Sequence, residues 1–176
     1  MSRILLVDDH PPVCLTLQTI IQSMGHETVS AGNGRQALAA GVNHVDIAPS
    51  YGHAEVVAGP LIAANRDRLF IGEKSNRRNP DGVRADLDTT LQRLGTDHVD
   101  LYQAHGVTSL DDLDTRDRAF EVILRARDEG LTRFVGITGH DLGTAAAQLE
   151  AVRRYDLDSV MLPVYPLGRA SCRERV

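Results

Sequence analysis

A chain of 176 residues, 42% hydrophobic and 24% charged, has the length and balance of one ordinary globular domain and excludes a fibrous or disordered protein. Its formal net charge of −5 comes with no basic stripe to grip a phosphate backbone, so nucleic acid is not an expected partner. No apolar run approaches a membrane span, Met1-Ser2-Arg3 leads straight into a strand-like stretch without a leader, and Cys14 and Cys172 form neither a disulfide framework nor a metal spacing. A cytoplasmic location without membrane contact is the resulting expectation.

In chain order, Arg3-Ile4-Leu5-Leu6-Val7, closed by Asp8-Asp9, predicts a buried parallel strand. Val13, Leu15, Leu17, Ile20, Ile21 and Met24 follow at mostly helical spacing, with Pro11-Pro12 suited to the first turn and Gly25 to the end. Glu27–Ala31 predicts a second strand, and Ala31-Gly32-Asn33-Gly34 a turn into a second helix. On these residues, 1–39 resembles the N-terminal part of a response-regulator receiver, a flavodoxin-like fold. That resemblance implies an Mg²⁺ held in part by Asp8 and Asp9, since this ion prefers carboxylate oxygens. Read as residues alone, the pair ends a strand and caps a helix. Asp46, on the next strand, is the candidate phosphoacceptor of this alternative, a signalling module. It arrives too soon after the second helix, Pro49 stands one residue too close, and no Lys-Pro precedes a last helix. The receiver resemblance therefore ends near Ala39.

From 40 to 167, strand-like runs recur at His44–Ala48, Leu69–Lys74, Val99–His105, Arg133–Thr138 and Ser159–Val164. Helical patterns lie between them at Glu55–Asn65, Val83–Leu94, Arg116–Glu129 and Leu142–Tyr155. This alternation predicts a parallel sheet with crossover helices, which an open doubly wound sheet and a (β/α) barrel satisfy equally. Together with the first two strands, about seven strands are expected in one layer with helices outside them. Residues 168–176, Gly-Arg-Ala-Ser-Cys-Arg-Glu-Arg-Val, lack an apolar period and read as a non-native, adapter-like tail outside the fold.

Four reactive side chains fall at or just beyond the ends of these runs: Asp46, Tyr51 in the following loop, Lys74 and His105. Strand C-termini of a parallel sheet share one rim, so the four can converge. A phenol alone is a poor proton donor at neutral pH; a nearby ammonium favours its phenolate, and a carboxylate fixes the ammonium. A histidine beside them can hydrogen-bond and orient a carbonyl oxygen. Such a cluster can protonate the alkoxide formed as hydride arrives from a nicotinamide.

Gly41-Val42-Asn43-His44-Val45-Asp46-Ile47-Ala48 with Tyr51-Gly52 and Glu55, then Leu91 to Gln103 leading to His105, and Phe134-Val135-Gly136-Ile137-Thr138 resemble the aldo-keto reductase family. The resemblance implies an NADPH-dependent oxidoreductase acting on a small aldehyde or ketone, with no metal. Tyr51 would be the proton donor, Lys74 and Asp46 its tuning pair, and His105 the substrate orienter. His26, His44, His53, His98 and His140 show no ligand spacing and read as surface or packing residues.

The sequence also departs from the family's pattern. Thr138-Gly139-His140 stands where many members place Ser-Asn against the nicotinamide amide, leaving Thr138 as the candidate cofactor contact. Met161 stands in place of a glutamine and cannot reproduce its amide pairing. By this resemblance the family's first strand is expected to be absent or replaced by the receiver-like strands, and its last two, with the phosphate-gripping loop, to be missing. The expectation is an incomplete (β/α) TIM-like barrel whose first units resemble a receiver, chimeric, truncated and inactive, joined within Gln36–Gly41 and open to association through an unpaired sheet edge.

Overall fold

The computed structural model describes residues 1–163. Strands β1 (Arg3–Val7) and β2 (Glu27–Ala31) pair in parallel, Arg3 against Glu27 through Val7 against Ala31, and bond to no other strand. Helix α1 (Pro11–Ser23) connects them, opened by prolines at positions where a helix has no partner for their missing N–H. Helix α2 (Gly34–Ala39) is capped by Asn33, whose side chain accepts from Gln36 N–H at 2.9 Å. The helical period of α1 forms as expected, but its stripe of Val13, Leu17, Ile20 and Met24 faces solvent, with only Cys14 buried. Toward β2 the helix turns Gln18 and Gln22, which donate to the hydroxyls of Ser30 and Thr28 at 2.8 Å.

The main sheet runs β3 (His44–Asp46), β4 (Phe70–Ser75), β5 (Val99–Ala104), β6 (Thr132–Thr138) and β7 (Ser159–Met161), all parallel and in sequence order. Its helices are α3 (Ala54–Ala63), α4 (Pro80–Leu94), α5 (Leu110–Asp114), α6 (Asp117–Asp128) and α7 (Thr144–Arg154). Strand order never reverses, so this sheet has no switch point of the doubly wound kind; it is an arc of βα units, half of a barrel.

The expected single layer of seven strands is corrected: the seven divide into two sheets, two strands and five. The three residues of β3 find a covered partner in β4, whereas β1 and β2 bury only Leu6 and Ala31, too little apolar surface to hold a third strand. The receiver alternative falls with this division. Asp46 belongs to the five-stranded sheet and Asp8 and Asp9 follow β1, so the three carboxylates that the alternative needs are on different sheets. Asp8 instead accepts His10 N–H at 2.8 Å, and among the described residues no group of three His, Cys, Asp or Glu side chains is gathered to hold a metal.

Behind the main sheet, Ile71, Tyr102, Val135 and Ile137 meet Leu87 and Leu94 of α4, Phe120 and Ile123 of α6, and Ala147 and Ala151 of α7 in one core. Tyr102 is buried with its hydroxyl satisfied by Val83 O at 2.9 Å. Phe120 stacks on Tyr155 with ring centroids 4.3 Å apart. Helix α3 lies close on α4 because Gly59 has no side chain; a Cβ there would sit 2.1 Å from Arg93 O. Of the head, Leu38 on α2 reaches this core.

The last predicted strand forms over Ser159–Met161; Val164 and the tail at 168–176 lie outside the described residues. Helix α5 was not anticipated, being too short for a periodic signal; Ser109 caps it, its hydroxyl accepting Asp112 N–H at 3.1 Å. No helix among the described residues is long and apolar enough to cross a membrane.

Candidate active site

Asp46 ends β3, Lys74 stands next to last in β4, His105 follows β5 directly, and Tyr51 lies in the loop before α3. Parallel pairing puts these ends on one rim, and the side chains meet there. Lys74 Nζ donates to Asp46 Oδ2 at 2.7 Å and to Ile47 O at 3.2 Å. The same ammonium stands 5.0 Å from the centroid of the Tyr51 ring, and that ring meets the His105 imidazole edge-on at 5.7 Å. Lys74, the only lysine of the sequence, is 1% exposed, whereas Tyr51 is 46% exposed, so the cluster is closed beneath and open toward solvent. A buried ammonium survives only with partners such as these. Gly72, opposite Asp46 in the register, leaves room for the carboxylate: a Cβ there would lie 3.2 Å from Asp46 Oδ1, a tight contact.

His105 is held on several sides. Its N–H donates to Ser75 O at 2.8 Å and its carbonyl accepts from Arg116 Nη1 at 3.1 Å. Its Nδ1 lies 3.0 Å from Asn76 Oδ1 and 3.5 Å from Ser50 Oγ. Burial first, then the charges of Lys74 and His140, lowers its pKa below the ordinary histidine value, so the ring is neutral at pH 7. Arg116 is buried against Asp112, which also pairs with Arg78 at 2.8 Å. Burial alone would raise Asp112, but hydrogen bonds from Arg116 and from Thr108 N–H, together with the arginine charge, hold its carboxyl below the usual range. This ion pair fixes the loop that carries His105.

On the other side of β4, Glu73 is fully buried; its Oε1 accepts Lys74 N–H at 3.0 Å and its Oε2 has no partner. Burial, opposed by that hydrogen bond and reinforced by the charge of Glu55, pushes it up to about 8. Glu55 is buried as well, held by the Thr90 hydroxyl at 2.5 Å and by Arg93 at 2.6 Å.

At the end of β6, the Thr138 hydroxyl oxygen accepts Gly106 N–H at 3.1 Å, leaving its proton free to donate. Gln148 Nε2 donates to Met161 O at 2.8 Å. Gln103 is level with Lys74 in the register and fully buried, with neither polar side-chain atom partnered.

The structure thus assembles Asp46, Tyr51, Lys74 and His105 into one cluster and leaves Asp8 and Asp9 in the other sheet. Ser50, Asn76, Arg116 and His140 were missed. Asn76 sits two residues past Lys74 and so emerges at the same rim, a signal available in the sequence; Arg116 read only as the start of a helix.

The profile described as "Aldo/keto reductase family" matches residues 31–170. The chain is 32% identical over 117 residues to an uncharacterized oxidoreductase, YqkF, of Bacillus subtilis (strain 168), covering 58% of this chain and 37% of that protein. It is 44% identical over 73 residues to an NAD/NADP-dependent indole-3-acetaldehyde reductase of Schizosaccharomyces pombe, covering 40% and 25%. A putative aldo-keto reductase structure from Pseudomonas aeruginosa superposes with a TM-score of 0.67 at 27% identity, over 77% of this chain and 55% of that one. The chain therefore spans less than two thirds of the length of each of these relatives.

Proposed function

The chain belongs to the aldo/keto reductase family, and on that premise we propose that the rim cluster is an oxidoreductase site interconverting a small aldehyde or ketone and its alcohol. The observation that carries this reading is the buried Lys74 ammonium, paired with the more exposed Asp46 carboxylate at 2.7 Å and set 5.0 Å from the ring of an accessible tyrosine.

In the reducing direction Tyr51 gives its hydroxyl proton to the alkoxide oxygen. The Lys74 ammonium compensates the phenolate left behind, and Asp46 holds the ammonium in place. Solvent restores the proton through the exposed side of Tyr51. His105 orients the reacting molecule beside the tyrosine. NADPH, the hydride donor we propose, supplies two electrons and a hydrogen to the carbonyl carbon. The residues at the ends of β6 and β7 fit its carboxamide in part: Thr138 has a hydroxyl proton to offer, while the Met161 side chain has no donor.

Two finer readings go with this. The first divides the chain into a receiver-like head at 1–39, a reductase part at 40–167 and a tail at 168–176. The separate β1–β2 sheet supports the head, while the family match begins at Ala31, ahead of α2 and within that head. The second is that the chain alone turns over poorly. An open arc of five strands admits water to the rim, where closed sites exclude it, and among the described residues β3 and β7 keep unpaired edges through which copies could associate.

NADPH titration followed by cofactor fluorescence tests the site. Saturable binding that Lys74→Met abolishes is the expected result. Equal binding by Lys74→Met and the unaltered chain would detach the cofactor from this cluster and sink the proposal.

A further inference from the structure

Helix α1 sits at a fixed rotation on its sheet: Gln18 and Gln22 bond Ser30 and Thr28 of β2 at 2.8 Å, and Cys14 is buried. That rotation leaves Val13, Leu17, Ile20 and Met24 39% to 68% exposed. The four recur at intervals of four, three and four residues. This is the narrow seam of a two-helix coiled coil, not the broader stripe of a core-facing helix. Residues 11–24 include no Lys, Arg, His, Asp or Glu, so two such helices meet without like-charge repulsion. The two ends of the helix differ in charge. Asp8 and Asp9 stand ahead of its first turn. Beside its last turn lies the start of the chain: Ser2 N–H donates to His26 Nδ1 at 3.3 Å, and Arg3, Gln22, His26 and Glu27 line one hollow. The exposed Met1 amine and Arg3 outweigh Glu27 there, so this end is positive.

We propose that α1 is a self-association surface whose partner is α1 of a second copy of this chain, packed antiparallel. A two-fold axis level with Gln18 and Thr19 sets Leu17 against the partner's Ile20 and Val13 against the partner's Met24, a self-complementary contact. The same arrangement brings Asp8 and Asp9 of each copy to the positive end of the other and opposes the two helix dipoles. A parallel pair would set like ends together. The symmetric seam and the complementary ends are features that a copy of this chain supplies and an unrelated partner does not. The contact is one helix wide and falls well short of the ~800 Å² per partner of a stable complex. It therefore forms at high concentration and leaves Ile20 free in dilute solution. None of these residues belongs to the rim cluster, so the inference stands or falls apart from the oxidoreductase reading.

The test is sedimentation velocity of the full chain from about 5 µM to about 500 µM. The expected result is monomer at the low end and dimer at the high end. Ile20→Arg sets like charges beside the two-fold axis and should stay monomeric throughout, with a thermal melt in dilute solution matching the unaltered chain. Should that variant fail to fold, Met24→Asp takes its place with the same expectation, at the most exposed position of the seam. Asp9→Arg cancels the negative end and should weaken the dimer about threefold. Monomer at every concentration would overturn the proposal. So would a dimer of Ile20→Arg or Met24→Asp as tight as the unaltered one, which would assign association to the edges of β3 and β7 instead. A dimer that Asp9→Arg leaves unchanged or tightens would overturn the antiparallel arrangement.

Discussion

Residues 3–31 and residues 70–104 are each built as a strand, a helix and a second strand in parallel, yet they are covered very differently. Every residue of β5 is buried, with α4 and α6 behind it and β4 and β6 on either side. In β1 only Leu6 is buried, and α1 leaves most of its apolar stripe in water. The βαβ unit alone does not make a core: a parallel strand must be covered on both faces, and one crossover helix supplies one face. The head also places glutamines between its helix and sheet, where the reductase part places Leu87, Phe120 and Ile123.

Mutations can break or sharpen this contrast. The largest effect is expected from Phe120→Ala, which removes a fully buried ring stacked on Tyr155; urea denaturation should show a loss of about 3–5 kcal/mol. A cost under about 1 kcal/mol would mean that the main sheet is no better packed than the head.

Next comes Glu73→Gln. The folded chain holds this carboxyl protonated up to about 8, against 4.5 for an ordinary glutamate. The folded state therefore binds a proton that the unfolded state has released. Its contribution to stability is complete below 4.5 and is lost as pH rises toward 8. Glutamine removes that dependence. Melts between pH 5 and pH 8 should show the variant gaining about 2 kcal/mol or more on the unaltered chain at the upper end. Parallel curves would place the ionisation elsewhere.

Asn33→Ala should cost about 1 kcal/mol by removing the cap of α2. Hydrogen exchange should locate that loss in the head, with β4 and β5 unaffected; a loss shared by both would tie the two regions into one cooperative unit. The smallest effect is expected from Ile20→Ala, within about 0.5 kcal/mol, because its side chain is half exposed. A loss of 2 kcal/mol there would show that something covers α1 in solution.

The sequence carried much of this to the surface. The strands at Arg3–Val7 and Glu27–Ala31 formed as read, because continuous apolar runs and turn residues are local signals. Asp46, Lys74 and His105 were legible because each lies at the end of a strand, and Tyr51 because it lies in the loop just beyond one; strand ends converge by topology alone. What pairs with what was not legible. The pattern of Ile4 to Val7 suits a central strand, and nothing in it says that β3 will choose β4 instead. Arg116 was missed because it acts on His105 across loops, where no period leads to it, whereas Asn76, two residues past Lys74, could have been read from that offset.

Lys74 being the only lysine has a practical consequence. An amine-directed reagent finds two places on this chain: the α-amino group of Met1, a residue 92% exposed, and the ε-amine of Lys74, 1% exposed. The first reacts as a free amine would. The second, buried and bonded to Asp46 and to Ile47 O, reacts only in the moments when those bonds open. The ratio of the two modification rates, read as the mass of two peptides, measures how often the site breathes, and the protein supplies both the gauge and its zero.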